Sequence, residues 1–518
     1  METLVVLNAL FENAYPFEKA FDGKSAIDLS FAFAKKLADN VVVFCDESEI
    51  GKRIQENFAG EKILFVSKSN WNIAELFSSL ANACEKFSSE SAFYAFADCP
   101  FLNVSLAEKI IEVHQNYKAE YTFADGYPFG LALEALHKDS ANILHALVLQ
   151  DGSGTKKITR DSIMESVKRD INNFEIETVL SKNDYRSYRF SFETNCKRNF
   201  IACKNLFEAK PNFSDADELS EKACALSSVV KTLPAFYQVQ IVSDEDDTCI
   251  YSPYKNAFQK KFGKLPSSET KMSIENFSRL VKSIADFSDD AVVSLSFFSE
   301  AFLHPQLVEF ISLVTKEKNL SLVIETNALH ITNEVLEKIK NVANEKILWF
   351  VNLDAMTEET YKIVHQNSGS LTKAIAGLSL LEKFFPDSVY AQFIRMNENE
   401  SELENFYRYW SDEKNPSHGK IAIQKYDSFC KFLDEKKVAD LSPIERNPCW
   451  HLRRDFCIFV DGSVPLCRSS LFQNIIGNVF KESIEVIWKK MNSFLENDMK
   501  KNYTDFCKNC DEYYTFNF

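Results

Sequence analysis

The sequence predicts an α/β protein made of two helix-covered parallel sheets followed by a small cysteine-rich module. Three observations carry this. Apolar β-type runs alternate with helical stretches from residue 1 to about 205, and a second alternating series runs from 237 to about 440. Alternation of this kind puts helices on the faces of a parallel sheet. The third observation is a set of four cysteines, Cys449, Cys467, Cys507 and Cys510, within the last seventy residues.

In the first series VVLNAL, NVVVFCD, KILFVS, AFYAFAD and EYTFADG read as strands, and 26–38, 72–86 and 105–117 as helices. Residues 206–233 are polar and helical and read as a linker. The second series contains YQVQIVS, VVSLSFFS, LSLVIETN, ILWFVNLD, YAQFIRM and IAIQKYD. Six strands with intervening helices suggest a partial (β/α)6 barrel. The expected organisation is a first domain at 1–205, the linker at 206–233, a barrel at 234–445 and the cysteine module at 446–518.

A chain of 518 residues is too long for one core. Its net charge of −16 and pI near 5.2 argue against a nucleic-acid partner. No run of eighteen apolar residues occurs, and Glu2 stands where a signal peptide would carry a base, so a cytoplasmic protein without membrane association is expected. Only 13 glycines occur, against an average usage of about 7%. Few loops can therefore bring backbone close to phosphates.

The thirteen cysteines are scattered and odd in number, which with a reducing compartment argues against disulfides. Converging thiolates are costly to bury unpaired and normally hold a metal or a cluster. Tetrahedral zinc is one occupant. Zinc knuckles usually bring two close C-x-x-C pairs, and only one is present here, so a single 4Fe–4S cluster is the favoured occupant. Asp461-Gly462 supplies the tight turn of an apparent hairpin that returns Cys467 toward Cys449. Cys457 alternates with Phe456 and Ile458 and reads as a buried free thiol.

The run Cys449-Trp450, Asp461-Gly462-Ser463-Val464-Pro465-Leu466-Cys467, Ile476-Gly477-Asn478-Val479 and the closing Cys507-x-x-Cys510 resembles the SPASM domain, an auxiliary iron–sulfur module of radical SAM enzymes. The resemblance implies that Cys449, Cys467, Cys507 and Cys510 hold the cluster.

Three stretches of the first domain resemble the sugar-nucleotide cytidylyltransferases, which have a Rossmann-like glycosyltransferase-A fold. They are Ala97-Asp98-Cys99-Pro100, Tyr127-Pro128-Phe129-Gly130-Leu131-Ala132-Leu133-Glu134, and the strand-like Arg189-Phe190-Ser191-Phe192-Glu193-Thr194. The resemblance implies Asp98 and Glu193 as ligands of a nucleotide-bound Mg²⁺. The family's Gly- and Arg-containing triphosphate loop is replaced by Asn8-Ala9-Leu10-Phe11-Glu12-Asn13-Ala14-Tyr15-Pro16. A glutamate there repels a triphosphate.

The middle of the chain resembles the radical SAM barrel. Ser296-Phe297-Phe298-Ser299-Glu300 falls on the family's Gly-Gly-Glu segment for the methionine amine of adenosylmethionine, and Thr326-Asn327-Ala328 on its Thr-Asn-Gly. The family's C-x-x-x-C-x-x-C becomes Glu245-Asp246-Asp247-Thr248-Cys249-Ile250-Tyr251-Ser252. One thiolate cannot hold an iron–sulfur cube. Cys249 and Glu300 thus read as vestiges of an adenosylmethionine site, and adenosylmethionine is not expected as a cofactor.

The three-part arrangement resembles a group of spirochaete SPASM proteins. It implies an iron–sulfur protein of radical SAM descent that has lost reductive cleavage chemistry. The alternatives are a CTP-dependent nucleotidyltransferase acting on a sugar-like substrate with Mg²⁺, or a radical SAM enzyme with non-standard ligands. No catalytic residue is assigned, and the partner is an unidentified small molecule or protein.

Overall fold

The computed structural model describes residues 3–246, 248–343, 347–366, 369–439, 442–443 and 445–513. Glu2, Asp247 and Asp440, which enter the sequence reading, lie outside them. The chain divides into two compact units, Met1–Thr232 and Leu233–Phe518.

The first unit is built on a seven-stranded sheet. Its strands are β1 (Leu4–Asn8), β2 (Asn40–Asp46), β3 (Ile63–Lys68), β4 (Ser91–Phe96), β5 (Tyr121–Asp125), β6 (Glu134–His137) and β7 (Ile176–Leu180). The spatial order is β3-β2-β1-β4-β6-β5-β7, and β6 runs antiparallel to both neighbours. β1 is buried at every position, as a strand covered by helices on both faces must be. Helices Ala26–Leu37, Ile73–Lys86 and Val104–Asn116 start at Ser25, Asn72 and Asn103, whose side chains accept from the first-turn amides. The Arg189–Thr194 stretch forms no strand. Arg189 sits at φ 49°, which breaks the extended backbone, and only a Phe129–Ser191 bridge forms. Residues 206–232 pack within this unit through helix Ala216–Ala225, which buries Leu219 and Ala223.

The second unit carries β8 (Phe236–Val239), β9 (Val292–Ser294), β10 (Ser321–Thr326), β11 (Ile347–Asn352), β12 (Val389–Arg395), β13 (Ile421–Lys425) and β14 (Asp455–Ile458). All pair in parallel, in the order β13-β12-β11-β10-β9-β8-β14. β8 to β13 correspond to the six expected runs, and their C-terminal ends share one edge of the sheet.

The expected hairpin around Asp461-Gly462 differs. The turn forms, with Gly462 at φ 81° and its N–H donating to the Phe459 carbonyl at 2.8 Å. A Cβ on Gly462 would stand 2.4 Å from the Phe480 ring. The arms do not form a ladder, however. β14 joins β8, with Cys457 opposite Gln238, while β15 (Ser463–Pro465) pairs antiparallel with β16 (Ile475–Asn478). Asp455–Ile458 is buried at every position, so it takes a slot covered on both faces rather than a half-exposed hairpin arm. No described helix is long and apolar enough to cross a membrane.

Candidate metal centre

Four elements bring the C-terminal sulfurs together. Cys449 immediately precedes the short helix Trp450–Arg454, and its N–H donates to Asp498 Oδ2 at 2.8 Å. Cys467 follows β15 and caps a single turn in which Ser470 Oγ donates to its carbonyl at 2.8 Å. Cys507 lies in the helix Asp505–Lys508 with Cys510 just beyond it, and Arg446 Nη1 donates to the Cys507 carbonyl at 2.9 Å. The Glu512 N–H donates to Cys510 Sγ at 3.3 Å. Burial holds the Cys449 and Cys467 thiols well above their ordinary value, and the nearby Cys510 adds to the effect at both.

A fifth sulfur joins this set. The Cys430 thiol is pushed far up by its hydrogen bond to Cys510 and by burial, and Cys510 is held below its ordinary value by accepting that bond. Phe429, Cys430 and Lys431 lie at φ 50°, 57° and 66°. Three successive side-chain-bearing residues in the left-handed region are rare and costly, and persist only where the surroundings impose them.

The donor set fits a cluster. Its donors are soft thiolates supplied from separate elements, the ligand type that a cube takes at its irons. Asp427, Asp511 and Glu512 bring carboxylate oxygens within 4.8 Å of one another, but Lys425 Nζ lies 2.7 Å from Glu512 and Lys437 Nζ 2.6 Å from Asp511.

The strand-end site of the parallel sheet is different in chemistry. Ser252 Oγ donates to Glu245 Oε2, so two of the three aligned positions present oxygen and bind each other. Cys249 Sγ faces His365 Nδ1 at 3.1 Å instead. Glu300 is buried and accepts from Thr326 Oγ1 at 3.0 Å, the Asn327 N–H at 3.0 Å and the Phe302 N–H at 3.1 Å; burial pushes its carboxyl up to about 8. Phe298 sits at φ 46°, and its ring is buried and stacks on Tyr254 at 5.4 Å between centroids. Phe297, Phe429 and Phe459 complete that aromatic cluster.

In the first unit Asp98 and Glu193 come together across a guanidinium. Arg160 Nη2 lies 2.6 Å from Asp98 Oδ2, and its Nε 3.2 Å from Glu193 Oε1. Its plane covers the Phe96 ring at 3.8 Å. Glu12 is paired with Lys157.

Family models match two segments of the chain: the radical SAM superfamily at 248–409 and the SPASM iron-sulfur cluster-binding domain at 449–511. This is an iron–sulfur-binding protein of the radical SAM/SPASM family. An uncharacterized protein of Treponema pallidum (strain Nichols) is 34% identical over 368 residues, covering 69% of this chain and 98% of its own, and the two belong to one family. Three solved structures are similar at low identity. BtrN in complex with AdoMet and 2-DOIA is 19% identical over 54% of this chain and 94% of its own, with a TM-score of 0.36. A cytidylyltransferase from Leptospira borgpetersenii serovar Hardjo-bovis (strain JB197) is 13% identical over 45% and 98%, with a TM-score of 0.37. Streptococcus suis SuiB bound to precursor peptide SuiA is 11% identical over 72% and 84%, with a TM-score of 0.42.

Within this radical SAM/SPASM protein, three functional-site residues carry no local sequence signal. Cys430 stands outside the spacing motif, Arg160 sits 62 residues from Asp98, and His365 lies 116 residues from Cys249.

Proposed function

We propose that this protein carries one 4Fe–4S cluster, held in the SPASM domain by Cys449, Cys467, Cys507 and Cys510, and that its radical SAM domain does not cleave adenosylmethionine reductively. The observation that carries the reading is the contrast in donors: oxygen from Glu245 and Ser252 flanks the lone Cys249, and these two oxygens are hydrogen-bonded to each other. Hard oxygen donors do not substitute for thiolates around a cube. The Phe298 ring, buried against Tyr254, adds bulk where the aligned family has glycine. The domains are taken as a cytidylyltransferase-like domain at 1–205, a linker at 206–233, a partial barrel at 234–445 and the SPASM domain at 446–518. The bound cluster would supply one-electron capacity and fold stabilisation, with Arg446 donating to the Cys507 carbonyl and the Glu512 N–H to Cys510 Sγ.

For the first domain we propose that nucleotide and Mg²⁺ binding is lost. A guanidinium that already bridges Asp98 and Glu193 competes with a divalent cation for both carboxylates. The cytoplasm remains the proposed compartment.

Anaerobic purification tests the reading. About four iron and four sulfide per chain are expected, and no 5′-deoxyadenosine above the protein-free control with dithionite and adenosylmethionine. Stoichiometric zinc without sulfide, or 5′-deoxyadenosine from the unaltered protein, would overturn it.

A further inference from the structure

His365 is fully buried, and its ring is fixed on every side. Tyr361 stacks on it at 4.1 Å with planes 16° apart, and Tyr251 meets it edge-on at 6.2 Å. Nδ1 faces Cys249 Sγ at 3.1 Å, and Nε2 faces Asp354 Oδ2 at 3.5 Å. Asp354 is also fully buried and is held from two further directions: the Ile394 N–H donates to Oδ1 at 2.6 Å, and the Tyr251 hydroxyl to Oδ2 at 3.0 Å. Cys249, by contrast, is only partly covered. Asp354 stands two residues beyond β11, so the group sits at the C-terminal edge of a parallel sheet, where such folds place their chemistry.

We propose that Cys249, His365 and Asp354 form a thiol–imidazole–carboxylate site for acyl transfer from an activated ester or thioester, a role that rests on Cys249 not serving as a cluster ligand. The thiol proton moves to His365 Nδ1 as Sγ attacks the carbonyl carbon, forming an S–C bond. Collapse of the tetrahedral adduct breaks the bond from carbon to the leaving alkoxide or thiolate, and the His365 imidazolium returns the proton to that leaving group. The products are the S-acylated Cys249 and the free alcohol or thiol. Simple alkylation needs no acid in its second half, whereas acyl transfer uses His365 twice, first as base and then as acid. Cys249 and His365 are the catalytic residues. Asp354 is a positioning residue, with Oδ2 3.5 Å from Nε2 on the side of the ring away from the thiol.

The test uses the anaerobically isolated full chain and p-nitrophenyl acetate. The expected result is a burst of about one p-nitrophenolate per chain, with acetyl on the peptide carrying Cys249, formed about tenfold faster than on the partly covered Cys196 and Cys224. Cys249→Ser should abolish the burst. His365→Phe, which keeps a ring between Tyr361 and Tyr251, should slow it about tenfold or more. Asp354→Asn should move the pH midpoint of acetylation downward, because loss of the nearby carboxylate disfavours the imidazolium and leaves the base neutral at lower pH; a purely structural role would not do this. Competition among the cysteines of the unaltered protein needs no variant. Equal acetylation of Cys249, Cys196 and Cys224 in protein holding about four iron per chain defeats this inference and leaves the proposed function standing. Protection of Cys249 in protein holding about eight iron and forming 5′-deoxyadenosine defeats both.

Discussion

Two cysteine sites stand in the same unit of this protein, and they offer opposite donor chemistry. The SPASM domain gathers five sulfurs where four suffice, with backbone N–H groups and Arg446 aimed at its ligands. The strand-end site of the radical SAM domain retains one sulfur, pairs it with an imidazole, and ties its other two aligned positions to each other. In this second site Phe298 and Ala328 both occupy the left-handed region, at positions where the resembled motifs have glycine.

The largest effect expected separates the sites directly. Cys507→Ala should drop iron to near zero and unfold the SPASM domain, because metal binding at thiolate-rich structural sites is worth about 10 kcal/mol of folding free energy. Cys249→Ala in the other site should leave iron unchanged. Parallel iron analysis and thermal melts of the two variants check this, and a matching loss of iron in both would erase the distinction.

Next in size is the attempt to build a second cluster site at the strand ends. Glu245→Cys combined with Ser252→Cys should raise iron from about four toward eight per chain. No 5′-deoxyadenosine should follow until Phe298→Gly is added. That third change costs about 3 kcal/mol, since a buried aromatic is lost and only about 1 kcal/mol of left-handed strain is relieved. Cleavage by the double variant alone would show that Phe298 does not block the cofactor.

The sequence made the broad plan readable because that plan is written in local patterns. The six parallel strands of the second unit follow from apolar runs, and the cluster cysteines from their spacing. What escaped depends on distance. β14 left its expected hairpin because a segment buried on both faces fits a sheet slot better, and its partner β8 lies more than two hundred residues away. Cys430 belongs to no spacing motif and reaches Cys510 through a left-handed run that its residue types would not suggest. Arg160 and His365 become site residues only when chain folding places them between acids or beside a thiol.

Cys430 offers a smaller and sharper test. If it is an extra sulfur rather than a ligand, Cys430→Gly should keep about four iron per chain and change stability by about +1 kcal/mol, because glycine adopts φ 57° without strain. Iron falling well below four would move Cys430 into the ligand set and release one of the four motif cysteines from it. Iron and sulfide analysis with denaturant melts distinguishes the two outcomes.

The smallest expected effect is at Ala328. It sits just beyond β10 at φ 58°, is buried, and donates its N–H to Thr326 Oγ1 at 3.0 Å. Ala328→Gly relieves a left-handed alanine, a gain of about 1–2 kcal/mol. It also removes a buried methyl, a loss of about 0.8 kcal/mol, and loosens the unfolded chain, a further loss of about 0.4–1 kcal/mol. These nearly cancel, so the midpoint in urea should move by less than about 1 kcal/mol equivalent. A gain of 2 kcal/mol or more would mean that the turn is strained beyond a simple left-handed alanine.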